Sequence, residues 1–158
     1  MTKFLSPKLP SEGGCRCGRV RLRISAAPLL TSACHCTGCQ RMTSSAFSLS
    51  AAIPTPGFEI IQGKTVTGGL HGPAAHHHFC AYCMSWMFTR TEGMDALDGF
   101  VNLRSATLDD PSWFAPFVEL MTSEKLPWAV TPAMHSFHKF PAFEDFPALI
   151  KEYSQASA

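Results

Sequence analysis

The sequence predicts a mainly β fold held together by metal, with a loop-rich C-terminal third and a short C-terminal helix. Three observations predict it. Val20, Leu22 and Ile24 alternate with Arg19, Arg21 and Arg23, the period of two expected of a half-buried strand. Pro54, Pro56, Gly57 and Gly63 cut the middle of the chain into pieces of strand length. All seven cysteines fall in three short motifs, Cys15-x-Cys17, Cys34-His35-Cys36-x-x-Cys39 and Cys80-x-x-Cys83, with none left over.

Residues 1–13, broken by Pro7 and Pro10, read as a flexible arm, and residues 14–158 as a single domain. The first strand follows, with its arginine row expected to face water. Residues 46–52 read as extended. FEIIQG and KTVTGGLHG are predicted to form a hairpin through Gly63 and Lys64. Residues 76–80 and 86–90 read as strands flanking the last cysteine pair, and 99–103 as another. The stretch DDPSWFAPFVELMTSEKLPWA has no regular period. The ending EDFPALIKEYSQ reads as a helix starting after Asp145 or Pro147.

A chain of 158 residues can bury a real core without staples. Its net charge of +1 gives no electrostatic footprint for nucleic acid. The prolines of MTKFLSPKLPSEGG interrupt any apolar run of signal-peptide type, and no stretch reaches the roughly 18 to 20 apolar residues of a membrane span. The expected compartment is the reducing cytoplasm, where clustered cysteines hold metal or do redox work.

Thiolates one to three residues apart on a tight turn can converge on one ion at about 2.3 Å. Scattered buried cysteines would not produce three clusters and no singletons. A redox dithiol at Cys80 and Cys83 would want a βαβ surround, which the sequence lacks. Seven ligands suit a closed structural zinc with four and an open zinc with three. Spacing leaves two partitions open. Cys36, Cys39, Cys80 and Cys83 could form a ribbon-like site, or Cys15, Cys17, Cys80 and Cys83 could close one site and leave Cys34, Cys36 and Cys39 as a triad. Local convergence of the triad favours the second.

The segments Gly14-Cys15-Arg16-Cys17-Gly18-Arg19-Val20, Cys34-His35-Cys36-Thr37-Gly38-Cys39-Gln40-Arg41 with Ser44, Ser45, Ala46 and Phe47, and Phe79-Cys80-x-x-Cys83-x-Ser85 resemble the glutathione-dependent formaldehyde-activating enzyme family, the CENP-V/GFA domain. The resemblance covers about residues 13–104, with a weaker echo at Lys125-Leu126-Pro127-Trp128. It implies an Mss4-like β-tent, a structural zinc on Cys15, Cys17, Cys80 and Cys83, and a catalytic zinc on Cys34, Cys36 and Cys39. The implied reaction joins glutathione to formaldehyde, the reverse of a carbon–sulfur lyase. Three thiolates give a zinc site of net charge near −1, which suits thiol chemistry better than water activation. Where the family usually carries Gly after the last cysteine, this chain has Met84.

Among other candidates, His76 and His78 share a strand face with Cys80 and His77 points the other way, so one of the three could add a ligand or move a proton. His35, between two ligands, is expected to turn from the metal, toward a thiolate hydrogen bond or the surface. Arg41, Arg90 and Arg104 could hold substrate carboxylates. Trp86, Phe88, Trp113, Phe114 and Phe117 are expected in packing. Glu92 and Asp95 are acids near the motif region, and Asp109 and Asp110 are expected to cap a turn before Pro111. The alternative function is a non-catalytic zinc-stapled protein-binding module, for which an apolar patch of C-terminal aromatics could serve a partner or a homodimer.

Overall fold

The computed structural model describes residues 3–70, 72–91 and 99–158. The chain is mainly β, with strands β1 (Ser11–Gly14), β2 (Arg21–Ile24), β3 (Leu30–Cys34), β4 (Ser48–Pro54), β5 (Phe58–Gln62), β6 (Thr65–Gly68), β7 (Ala75–Cys80), β8 (Trp86–Thr91), β9 (Phe100–Arg104), β10 (Val118–Leu120) and β11 (His135–Ser136). Helix α1 spans Thr37–Thr43 and α2 spans Phe146–Ala156. Among the described residues β1, β2 and β5 form a small antiparallel sheet, and the other strands form a large one in the order β11-β10-β3-β4-β9-β8-β7-β6. Pairing in the large sheet is antiparallel except that β10 lies parallel to both β3 and β11.

The alternation in β2 gives the small sheet its apolar face, and Val20, Leu22 and Ile24 are buried. They join Ala51, Ile53, Phe88, Val101 and Leu103 from one face of the large sheet in the main core. The arginine row faces outward but is paired: Arg21 with Asp109, and Arg23 with Glu12 and Glu59. Asp109 is thus an ion-pair partner, while Asp110 accepts from the Ser112 amide and caps the turn.

Three expectations change. The hairpin through Gly63 and Lys64 does not form, because β5 pairs with β2 in the small sheet and β6 with β7 in the large one. Gly63 sits at φ +75°, where a Cβ would collide with the Arg19 carbonyl, so the chain turns out of one sheet and into the other. The arm expected over 1–13 is packed over its described part. Ser11–Gly14 pairs with β2, and Phe4 is buried against Phe117 with ring centroids 5.1 Å apart. The irregular C-terminal stretch contains β10, a strand too short to show a period. A second cluster of Phe4, Leu30, Phe117, Val118, Leu149 and Tyr153 seats α2, whose start after Asp145 agrees with the sequence reading.

No helix is long and apolar enough to cross a membrane among the described residues.

Candidate metal centres and the cavity beside them

Folding brings the cysteines together as a set of four and a set of three. The sulfurs of Cys15, Cys17, Cys80 and Cys83 lie within 4.8 Å of one another, as do those of Cys34, Cys36 and Cys39, and all seven are free of disulfides. The ribbon-like alternative is excluded by this geometry, since Cys36 and Cys39 are grouped with Cys34.

The four-cysteine set joins two turns. Cys15 and Cys17 follow β1, and Cys80 and Cys83 span the turn between β7 and β8. Four sulfurs at 2.3 Å from a tetrahedral ion would stand about 3.8 Å apart. Cys15 and Cys17 are 3.5 Å apart and Cys17 and Cys80 are 3.8 Å apart, so the donor set fits zinc. The Val20 amide donates to Cys15 Sγ at 3.3 Å, and the Ser85 hydroxyl lies 3.1 Å from Cys83 Sγ. The Ser85 bond draws the Cys83 thiol down to about 5. Met84, in this turn, has φ 57°, the left-handed backbone in which glycine is unstrained, and its side chain is exposed.

The three-cysteine set is built on one turn. Cys34 ends β3, and Cys36 is the N-cap of α1, its sulfur accepting from the Cys39 amide at 3.3 Å. The sequence reading placed a turn here and missed the helix, which is only seven residues long. Ser48 Oγ donates to Cys39 Sγ at 3.0 Å. As bare thiols the three share protons unevenly. Bonding from Cys34 and Ser48 outweighs burial and draws Cys39 down to about 6, while the same bond and burial push Cys34 up.

The C-terminal segment braces this turn from behind. His35 is fully buried, neither exposed nor bonded to a thiolate, and its Nε2 donates to Glu119 Oε2 at 3.0 Å. Glu119 also accepts from Lys125, Thr131 and Ser136. Burial raises its carboxyl, but the bonds from Ser136, Lys125, Thr131 and His35 outweigh this and hold it at about 2. Glu124 accepts from the Thr37 hydroxyl at 3.0 Å, and Gln40 Nε2 donates to the carbonyls of His35 and Glu124. Sequence reasoning missed Glu119, Glu124 and Ser48. The place of a histidine between Cys34 and Cys36 was the one available signal that a partner existed.

The face of the large sheet turned from the core carries small or polar residues, such as Ser32, Ser50, Ala52, Ala75 and Asn102, and leaves a cavity of about 350 Å³ above them. All three triad cysteines line it, and Phe146 and Ile150 of α2 close it from the other side. His77 faces this cavity, bonded to Thr89 at 2.8 Å, whereas His78 stacks on Phe88 toward the core. Of the three arginines, Arg104 lines the cavity, its guanidinium 4.0 Å from the Trp86 ring centroid. Burial lowers Arg104 to about 10, against the attraction of Cys39 and Cys34, so it is charged at neutral pH. Arg90 lies over the rings of Phe58 and Phe88, and Arg41 is exposed on α1. Phe88, Trp113 and Phe117 are buried in packing. Glu92 and Asp95 lie outside the described residues.

Residues 10–124 match the family model described as glutathione-dependent formaldehyde-activating enzyme. No curated protein matches the chain. Among solved structures, a crystal structure of a Rhodobacter sphaeroides protein is similar at 18% identity, covering 62% of this chain and 87% of that one, with a TM-score of 0.50. At that identity the likeness speaks to fold alone.

Proposed function

The chain belongs to the glutathione-dependent formaldehyde-activating enzyme family, and on that premise we propose that it joins a thiol cosubstrate such as glutathione to a small aldehyde at the three-cysteine site. The observation that carries this reading is the convergence of the Cys34, Cys36 and Cys39 sulfurs on the wall of a cavity. Three ligands at a cavity leave a fourth direction to a substrate, whereas four ligands close a shell. In this reading residues 14–158 form one zinc domain of Mss4-like type in the cytoplasm. Cys15, Cys17, Cys80 and Cys83 hold its structural zinc.

A zinc ion on the triad would supply the charge that keeps a substrate thiol ionised at neutral pH. The rest is the work of the chain. Ser48 orients Cys39, the α1 cap orients Cys36, and Glu124 and Gln40 fix the turn that carries both. The apolar cavity wall keeps water from competing with the thiol. The thiol sulfur adds to the carbonyl carbon, the π electron pair moves to oxygen, and that oxygen takes up the proton the thiol gave. No redox step is needed, and the product is a carbon–sulfur adduct of the lyase type.

The test is metal content followed by titration of a cobalt-substituted sample with glutathione. Two metals per chain, with one thiolate-to-cobalt band shifted by glutathione, is the expected result. One inert metal would instead favour a zinc-stapled binding module.

A further inference from the structure

We propose that the aldehyde seated in the triad cavity carries an apolar body of several carbons, and that formaldehyde is too small to be its matched substrate. The inference rests on the reading of the triad as the thiol-activating site and names the substrate class of that site.

Size is the first argument. A cavity of about 350 Å³ has room for on the order of ten waters, and formaldehyde has one carbon. The lining is the second. Leu29, Leu30, Phe100, Val118, Phe140 and Ile150 are among the lining side chains and most of the exposed lining is carbon, so water held there gains little and an alkyl or aryl group gains much. Charge is the third. Arg104 is the one lysine or arginine among the described lining residues. Glutathione carries two carboxylates and an ammonium. Burying those ends against carbon would leave them unpaired, so the cavity is built for the partner of the thiol and not for the glutathione body.

The triad sets the orientation. Cys34, Cys36 and Cys39 line one part of the wall, so the carbonyl faces the sulfurs while the body lies among the apolar side chains.

The experiment uses the zinc-loaded full chain. Enzyme-dependent adduct formation with glutathione is measured for formaldehyde, butanal and hexanal, and binding of unreactive hexanamide is measured by calorimetry. A buried methylene is worth about fourfold in affinity. We expect kcat/KM for hexanal to exceed that for formaldehyde at least about 30-fold, and hexanamide to bind at least about tenfold tighter than a polar amide of equal length. Phe140→Asp, at an exposed residue on the cavity wall, should lower the hexanal-to-formaldehyde ratio and hexanamide affinity about tenfold. Equal rates for the three aldehydes, or no binding of hexanamide, overturns the inference. A cobalt spectrum unmoved by glutathione, with hexanamide still bound, sinks the thiol-activating reading and leaves the ligand class of the cavity supported.

Discussion

The two cysteine sets differ in what they tie together. The set of four joins turns 63 residues apart in sequence, one following the small sheet's β1 and one in the large sheet. The set of three lies within six residues on a strand end and a helix cap. A metal on the first closes a long loop and its binding energy is folding energy; a metal on the second closes nothing. The triad's long-range fixing is polar instead, through Glu119, Glu124, Lys125 and Gln40. On the proposed assignment of the two metals, one site makes the fold and the other is made by the fold.

Breaking that contrast starts with the largest effect. Cys80→Ser should lose soluble folded protein, because structural zinc supplies on the order of 10 kcal/mol of folding free energy; soluble yield and far-UV circular dichroism measure it. Cys36→Ser should fold and melt within about 1 kcal/mol of the parent, since serine still caps α1. It should hold one zinc by elemental analysis and have no activity. If Cys36→Ser unfolds the chain and Cys80→Ser does not, the division of labour is reversed.

Glu119→Gln tests the polar brace. It should cost about 2–4 kcal/mol in urea unfolding, as removing one partner of a buried charged network does. The sign of the pH dependence follows from the depressed carboxyl. Stability from Glu119 is fully present above its ordinary value of 4.5 and is lost as pH falls toward about 2. The parent should lose stability across that window and Glu119→Gln should show a flatter profile. The smallest effect belongs to the four-cysteine turn. Met84→Gly should raise the unfolding free energy by about 0.5–1 kcal/mol by relieving a left-handed backbone, with zinc content unchanged.

The contrast also explains what the sequence made legible. Cysteine clusters announce themselves by residue type and spacing, so the seven residues that converge in two groups could be named without coordinates. The partition needed the sheets, because only they bring Cys15 and Cys17 beside Cys80 and Cys83. The alternation of β2 was legible because one face is buried and the other charged. The hairpin at Gly63 was misread because a glycine turn between two strands looks the same whether the strands pair or part. The buried Glu119 was invisible for a further reason. Its partners His35, Lys125, Thr131 and Ser136 come from three stretches of chain, and nothing in β10's three residues marks the middle one as interior. The cavity was equally hidden, since it arises from small side chains on alternate positions of several strands.

The parallel pairing of β10 with β3 sets a clock on synthesis. Cys34 lies 85 residues before Glu119, so at about 5–20 residues per second it leaves the ribosome some 4–17 s before its brace exists. Cys83 completes the four-cysteine set during that wait. The nascent chain can thus assemble its four-cysteine set while the thiols of the three-cysteine set still stand open to oxidants and to stray metal. A supply of reducing equivalents during translation matters more for that trio than for the quartet.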